Sequence, residues 1–267
     1  DGIRGYDVTG VQTCALPICA GDVNKEVLSL ALTYAPYLVA ADGGAKLALN
    51  YGKTPNYLIG DFDSVDGDAR ARIPARRHLR IDDQDSTDFE KCLRVIDAPL
   101  IVGVGFLGRR LDHQLAALSA LVRHADVACV LIGAHDAVFH VPKTLDIKLT
   151  PGTRFSLFPM RPVTGRSAGL KWPIEGLSFA PGARVGTSNR VIAPQVRLTM
   201  DGPGMLVIVP RAALPEVQAK SFVFVGPVAK THAKHRAPAG YLVQGGRLLG
   251  DAQRMMQRGQ VNAGPEP

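Results

Sequence analysis

Short apolar runs alternate with stretches of helical periodicity, and that alternation restricts this chain to few folds. Tyr37–Ala41, Tyr57–Ile59, Leu100–Val104 and Val127–Ile132 read as buried strands. Between and around them, Val23–Ala35, Ala45–Tyr51, Thr87–Ile96 and Leu111–His124 carry helical spacing, the first stopped by Pro36. Repeats of this length predict a parallel α/β sheet, whose chemistry sits in loops beyond the carboxyl ends of the strands. The texture changes near Thr150. Arg154–Pro159, Ala168–Trp172, Gly176–Phe179, Val196–Met200 and Gly204–Val209 are short runs broken by glycine and proline, which predicts a small antiparallel β domain. The boundary falls in 149–152, giving an α/β unit over 20–149 and a β unit over 150–212.

The two ends read differently. Residues 1–19 show no periodicity that joins the pattern beginning at Gly21; DVTGVQTCALPIC looks like translated sequencing-adapter read-through, so this segment is read as non-native and set outside the fold. Residues 213–267 read as a basic, mobile tail, with a strand over 221–228 and a weak helix over 246–258. The chain carries 31 Lys and Arg against 24 Asp and Glu, a net +7. From Ala213 onward seven basic residues face three acids, so +4 of that excess lies in the tail. A basic balance invites nucleic acid, but aromatic residues are only 6% of the chain, no nucleic-acid module is present, and the acidic loops at 60–64 and 82–88 would repel a phosphate backbone. No apolar run reaches the ~20 residues of a membrane span. Cys14, Cys19, Cys92 and Cys129 form no Cys-x-x-Cys pair, which favours neither zinc nor a disulfide framework and points to a reducing, cytoplasmic protein.

Four loop motifs carry chemistry. Asp42-Gly43-Gly44 follows a strand; its glycines permit close approach of backbone to a ligand, and Asp42 can accept from a ligand hydroxyl. Gly60-Asp61-Phe62-Asp63-Ser64 places two carboxylates just past a buried strand, the hard oxygen donors that Mg²⁺ selects, with Phe62 turned inward as an anchor. Asp82-Asp83-Gln84-Asp85-Ser86-Thr87-Asp88 crowds four more acids before a helix that Ser86 or Thr87 can cap; the excess charge calls for a cation. Gly103-x-Gly105-x-x-Gly108-Arg109-Arg110-Leu111-Asp112-His113 offers amides and guanidinium groups to phosphate, with Asp112 able to orient an arginine. It has the spacing of the dinucleotide fingerprint, yet it sits in the fourth strand unit and no acidic residue about 20 positions on ends a following strand as ribose partner, so a nicotinamide reading is set aside. These parts amount to a Mg-nucleotide-dependent transferase.

In order and spacing, AADGGA (40–45), GDFDS (60–64), DQDSTDFEKCL (83–93), GRRLDH (108–113), GLKWPI (169–174) and GTSN (186–189) resemble the thiamine pyrophosphokinase family over residues 21–210. The resemblance implies a Rossmann-like parallel sheet followed by a small antiparallel β-sandwich. It implies transfer of pyrophosphate from ATP to the thiamine hydroxyl, giving thiamine diphosphate and AMP, with Mg²⁺ as cofactor. On matching motifs, Asp61, Asp63 and Asp88 hold Mg²⁺ and phosphates and, with Arg110, are catalytic. Asp42, Gly43, Gly44, Gln84, Asp85, Gly108, Arg110 and Asp112 line the ATP site, and Ser188 and Asn189 contact thiamine. Asp88 and Asp61 are both candidate proton acceptors. The family is homodimeric, with sites between the α/β domain of one subunit and the β domain of the other.

The chain departs from the pattern at three places. The usual opening strand is missing, which would leave a sheet edge exposed and part of the ATP cleft absent. Arg109 stands where glycine is common, and the tail has no counterpart. Trp172 is expected to be a packed core residue, with stacking on thiazolium as the lesser reading; His113 is expected to cap or pack. Two other functions compete: pyrophosphoryl transfer to another small alcohol such as a pterin, and nucleic-acid binding.

Overall fold

Each apolar run is followed by a helix that carries the chain back to begin the next run in the same direction, and this yields a parallel sheet. The computed structural model describes residues 14–216 and the short strands Val243–Gln244 and Arg247–Leu248. The α/β part comprises β1 (Ala15–Ile18), α1 (Lys25–Tyr34), β2 (Tyr37–Ala41), α2 (Gly44–Asn50), β3 (Tyr57–Gly60), α3 (Gly67–Ala71), β4 (His78–Arg80), α4 (Asp88–Val95), β5 (Ile96–Asp97), β6 (Ile101–Val104), α5 (Leu111–Arg123) and β7 (Cys129–Ile132). Six of these strands lie parallel in the order β7-β6-β1-β2-β3-β4. Thr87, one of the two expected caps, accepts from the Glu90 amide at 3.3 Å; α1 starts at Lys25 rather than at Val23 because Asn24 caps it, accepting from the Val27 amide at 2.8 Å.

The strand expected to be missing is present, and it occupies the centre of the sheet. Ala15–Ile18 pairs with β2 on one side and β6 on the other and is buried throughout. Residues 15–18 therefore belong within the fold although they are expected outside it, and no sheet edge is left open there. The fit has one defect. The Ala15 and Cys19 amides donate to the Leu100 and Val104 carbonyls at 3.1 and 3.0 Å, and Pro17, the residue between them in that register, has no N–H to give.

Beyond β7 the same sheet continues antiparallel through β8 (Asp136–His140), β14 (Met205–Pro210), β10 (Arg154–Pro159) and β12 (Gly186–Arg190). A second sheet of β9 (Thr144–Lys148), β13 (Gln195–Met200) and β11 (Gly165–Ala168) is antiparallel throughout. Leu145, Ile147, Val196 and Leu198 from it share a core with Phe139, Phe155, Leu157 and Val207 of the long sheet, a two-layer sandwich. Antiparallel pairing thus begins at β8, ahead of the 149–152 boundary, because the change of direction falls in the short turn between β7 and β8 rather than at the change of sequence texture. The strand expected over 168–172 lies instead at 165–168, and Phe179 contributes one bridge to Val163 rather than a strand.

The strand expected over 221–228 lies outside the described residues, as does nearly all of the tail. Within the helix expected over 246–258, Arg247–Leu248 is strand, paired with Val243–Gln244, which in turn pairs with β5. Among the described residues no helix is long and apolar enough to cross a membrane.

Candidate active site

In open α/β sheets the ligand crevice opens where the strand order reverses. The chain here runs outward from β1 to β4 and returns to β6 beside β1, so the reversal lies between β1 and β6. A cleft of about 360 Å³ is lined there by Cys19, Gly105 and Phe106, and reaches across to Asp61 and Asp88. Glycine is required at its back. A Cβ on Gly105, whose φ is +79°, would stand 2.3 Å from the Cys19 carbonyl oxygen, and one on Gly21 2.1 Å from that of Gly105.

Asp42 is the buried support of the acidic loop after β3. It is 1% exposed and sits at φ 44°, a left-handed conformation that aspartate tolerates. Its carboxylate accepts from the Phe62 amide at 3.1 Å, the Ser64 amide at 3.2 Å and the Ser64 hydroxyl. Phe62 packs against the core as expected, with the Arg70 guanidinium 5.0 Å from its ring centroid. These contacts hold the loop so that carboxylate oxygens of Asp42, Asp61 and Asp63 lie within 4.8 Å of one another. The charge of Asp61 pushes Asp63 above its ordinary carboxylate value.

Asp82, Asp83 and Asp88 of the loop before α4 face side-chain cations. Lys91 on α4, 2% exposed, reaches Asp61 at 2.7 Å and Asp88 at 3.3 Å. Its hydrogen bond holds Asp61 below the usual range, whereas burial raises Asp88. Burial also works against the charge of Lys91, but the bond to Asp61 and the charge of Asp88 outweigh it and the ammonium is held up. Asp88 thus faces Lys91 and stands outside the Asp42–Asp61–Asp63 group. Asp82 pairs with Arg80 at 2.7 Å, and Asp83 with Arg94 at 2.7 Å; the Ser86 hydroxyl and Arg94 hold Asp83 down to about 2. The cation expected for this loop is therefore supplied largely by the chain's own Arg80, Arg94 and Lys91. Gln84 lines the cleft; Asp85 is exposed and outside its lining.

The glycine–arginine loop is arranged differently from the expectation. The Gly108 amide, expected to meet phosphate, donates to Gln114 Oε1 at 2.9 Å. Arg110 is exposed, pairs with Asp112 at 2.6 Å and does not line the cleft, whereas Asp112 and His113 do. Arg109 takes φ 59°, the region that favours glycine, and its guanidinium donates to the Ala20 carbonyl at 2.9 Å, tying the loops after β1 and β6 together. Gly43 and Gly44 open α2. A Cβ on Gly44 would stand 2.0 Å from the Ile18 carbonyl oxygen, so this glycine serves close packing of α2 on β1.

A second cavity of about 220 Å³ lies in the β part, lined by Trp172, Ile174, Leu177, Phe179, Thr187 and Asn189. Trp172 is not core: it is 52% exposed, with Lys171 Nζ 4.7 Å from its ring centroid. Asn189 accepts from the Trp172 amide at 3.1 Å and donates to its carbonyl at 2.7 Å, so its side chain fixes the Trp172 loop. Ser188 is exposed at φ 61°, its amide donating to Ser156 Oγ at 3.0 Å, and does not line this cavity. Lys91, Cys19 and His113 line the first cleft although the sequence pattern assigns them no role there. The sequence carries no signal for Lys91: its spacing from Asp88 is that of a surface pair, and only the burial of α4 sets it beside Phe89, Cys92, Leu93 and Val95.

Residues 28–131 match the family model described as the thiamin pyrophosphokinase catalytic domain, and residues 138–204 the one described as the thiamin pyrophosphokinase vitamin B1 binding domain. The chain is 30% identical to a thiamin pyrophosphokinase of Caenorhabditis elegans over 184 residues, 61% of this chain and 75% of that one. It is 28% identical to a rice thiamine pyrophosphokinase over 189 residues, covering 62% and 69%. Among solved structures, the Candida albicans thiamin pyrophosphokinase superposes with a TM-score of 0.63 at 18% identity, over 74% of this chain and 89% of that one.

Proposed function

The chain belongs to the thiamin pyrophosphokinase family, and from that premise we propose that it transfers the pyrophosphoryl group of ATP to the hydroxyl of thiamine, giving thiamine diphosphate and AMP. The observation that carries this reading is the acidic group facing the cleft: Asp61 and Asp63 line it, and their carboxylate oxygens lie within 4.8 Å of one another and of Asp42. Lys91 offsets part of this negative charge through Asp61, and the all-oxygen donor set that remains fits Mg²⁺. Asp61 and Asp63 would hold the ion, with Asp42 beneath them. When bound, the ion neutralises charge on the phosphate oxygens.

The chain's own groups orient the reactants. Gln84, Asp112 and His113 line the wall along which the triphosphate lies, and Arg109 holds the two phosphate-side loops together. Thiamine's ring system is assigned to the cavity beneath Trp172, within the segment that matches the vitamin B1 binding model. The thiamine hydroxyl oxygen forms a bond to the β-phosphorus as the bond from that phosphorus to the α–β bridging oxygen breaks. AMP leaves with that oxygen, and the hydroxyl proton passes to Asp61 or Asp88.

We read the working unit as a homodimer in which the cleft of one protomer meets the β part of its partner. Exposed Leu111 and Leu115 on α5, and Trp172 and Ile192 in the β part, support it. Four free cysteines accord with a reducing cytoplasmic setting. The test is Asp61→Asn assayed with thiamine and MgATP. Turnover should fall by about 100-fold or more in a protein that still unfolds cooperatively, at a somewhat lower temperature because Lys91 loses one of its two charged partners; full activity would refute the role given to the acidic loop.

A further inference from the structure

We propose that Lys91 is a positioning residue: a built-in counter-cation that sets Asp61 and Asp88 across the cleft and limits how tightly the acidic loop holds a divalent cation before nucleotide arrives. The inference rests on the pyrophosphokinase reading for its kinetic arm only. Its ground is geometric. Lys91 Nζ joins Asp61, after β3, to Asp88, at the start of α4, at 2.7 and 3.3 Å. An ammonium so buried is kept only where partners compensate it, and both of its partners are cleft carboxylates. Asp61 is shared between this pair and the Asp42–Asp61–Asp63 group, so the positive charge acts on the same oxygens that would receive a cation. Without it, three converging carboxylates would bind a divalent ion more tightly, with Asp61 and Asp88 no longer fixed relative to each other.

The experiment compares wild type with Lys91→Met and Lys91→Arg by two readouts: Mn²⁺ binding to the nucleotide-free protein, followed by electron paramagnetic resonance, and steady-state kinetics with thiamine and MgATP. Lys91→Met should bind Mn²⁺ alone about tenfold more tightly, since a like charge beside the site is removed. Its kcat should fall at least about tenfold with KM for thiamine within about threefold, as expected when positioning rather than thiamine binding is lost. Lys91→Arg, which keeps the charge, should restore Mn²⁺ affinity to within about threefold of wild type. Mn²⁺ affinity unchanged or weakened in Lys91→Met, or wild-type kcat, overturns the proposal. If Lys91→Met does not fold, Lys91→Arg decides, and a tenfold change in its Mn²⁺ affinity overturns the proposal. A wild-type protein that binds Mn²⁺ but forms no thiamine diphosphate refutes the pyrophosphokinase reading and leaves the Mn²⁺ comparison to judge Lys91.

Discussion

Replacing His140 should abolish a defined part of the protein's acid sensitivity. His140 ends β8 at 7% exposure; its Nε2 accepts from the Gly204 amide at 3.0 Å, and its Nδ1 has no partner among the described residues. Burial, assisted by the charge of Arg161, lowers its pKa from 6.5 to about 4. The folded value lies below the unfolded one, so the unfolded chain takes up a proton first as pH falls. Stability is complete above pH 6.5, is lost progressively toward pH 4, and changes no further from this group below that. At about 1.4 kcal/mol per pH unit the interval amounts to about 3 kcal/mol. Protonation also removes the lone pair that receives the Gly204 N–H. Urea unfolding at about pH 7 and about pH 4.5 should show wild type losing about 2–3 kcal/mol more than His140→Gln, whose side chain can still accept from Gly204 but does not titrate. Carboxylates titrate equally in both proteins and cancel. Equal losses in the two would refute the reasoning.

Three further perturbations separate local causes. Gly105→Ala should destabilise by about 2 kcal/mol or more, because a clash with Cys19 adds to backbone strain, whereas Gly52→Ala, at φ +70° with nothing within 4 Å, should cost about 1 kcal/mol; equal shifts in denaturant midpoint would remove the clash from the account. Asp42→Ala should cost about 3 kcal/mol or more by stranding the Phe62 and Ser64 amides, measured by chemical unfolding, and should silence turnover; a wild-type midpoint would contradict that support. Pro17→Val should stabilise by about 1 kcal/mol through the backbone bond to β6 that proline cannot make, seen as a higher melting temperature; no rise would mean that the register has no acceptor waiting.

The sheet was legible where apolar runs ended in turn residues, as at Ile59-Gly60 and Val104-Gly105, because burial and glycine punctuation agree there. β1 was not: Ala15–Ile18 carries a proline and follows a segment without pattern, and only its place between β2 and β6 shows what it does. Asp61 and Asp63 were readable as a cleft pair from their position past a strand. Lys91 was not, since an Asp-x-x-Lys spacing reads as a surface pair until its helix is buried against β3. The dense acids of 82–88 suggested an external cation; their partners Arg80 and Arg94 lie close in sequence, but only the helix brings Arg94 back to Asp83. Trp172 misled because large aromatics are usually packed, while here the Asn189 side chain holds its loop open to solvent.

The most direct test of the central claim is product stoichiometry with the purified chain, thiamine and MgATP, separated by anion-exchange chromatography. The account predicts one AMP for each thiamine diphosphate, with both absent when thiamine is omitted. ADP with thiamine monophosphate, or AMP release that does not depend on thiamine, would contradict it.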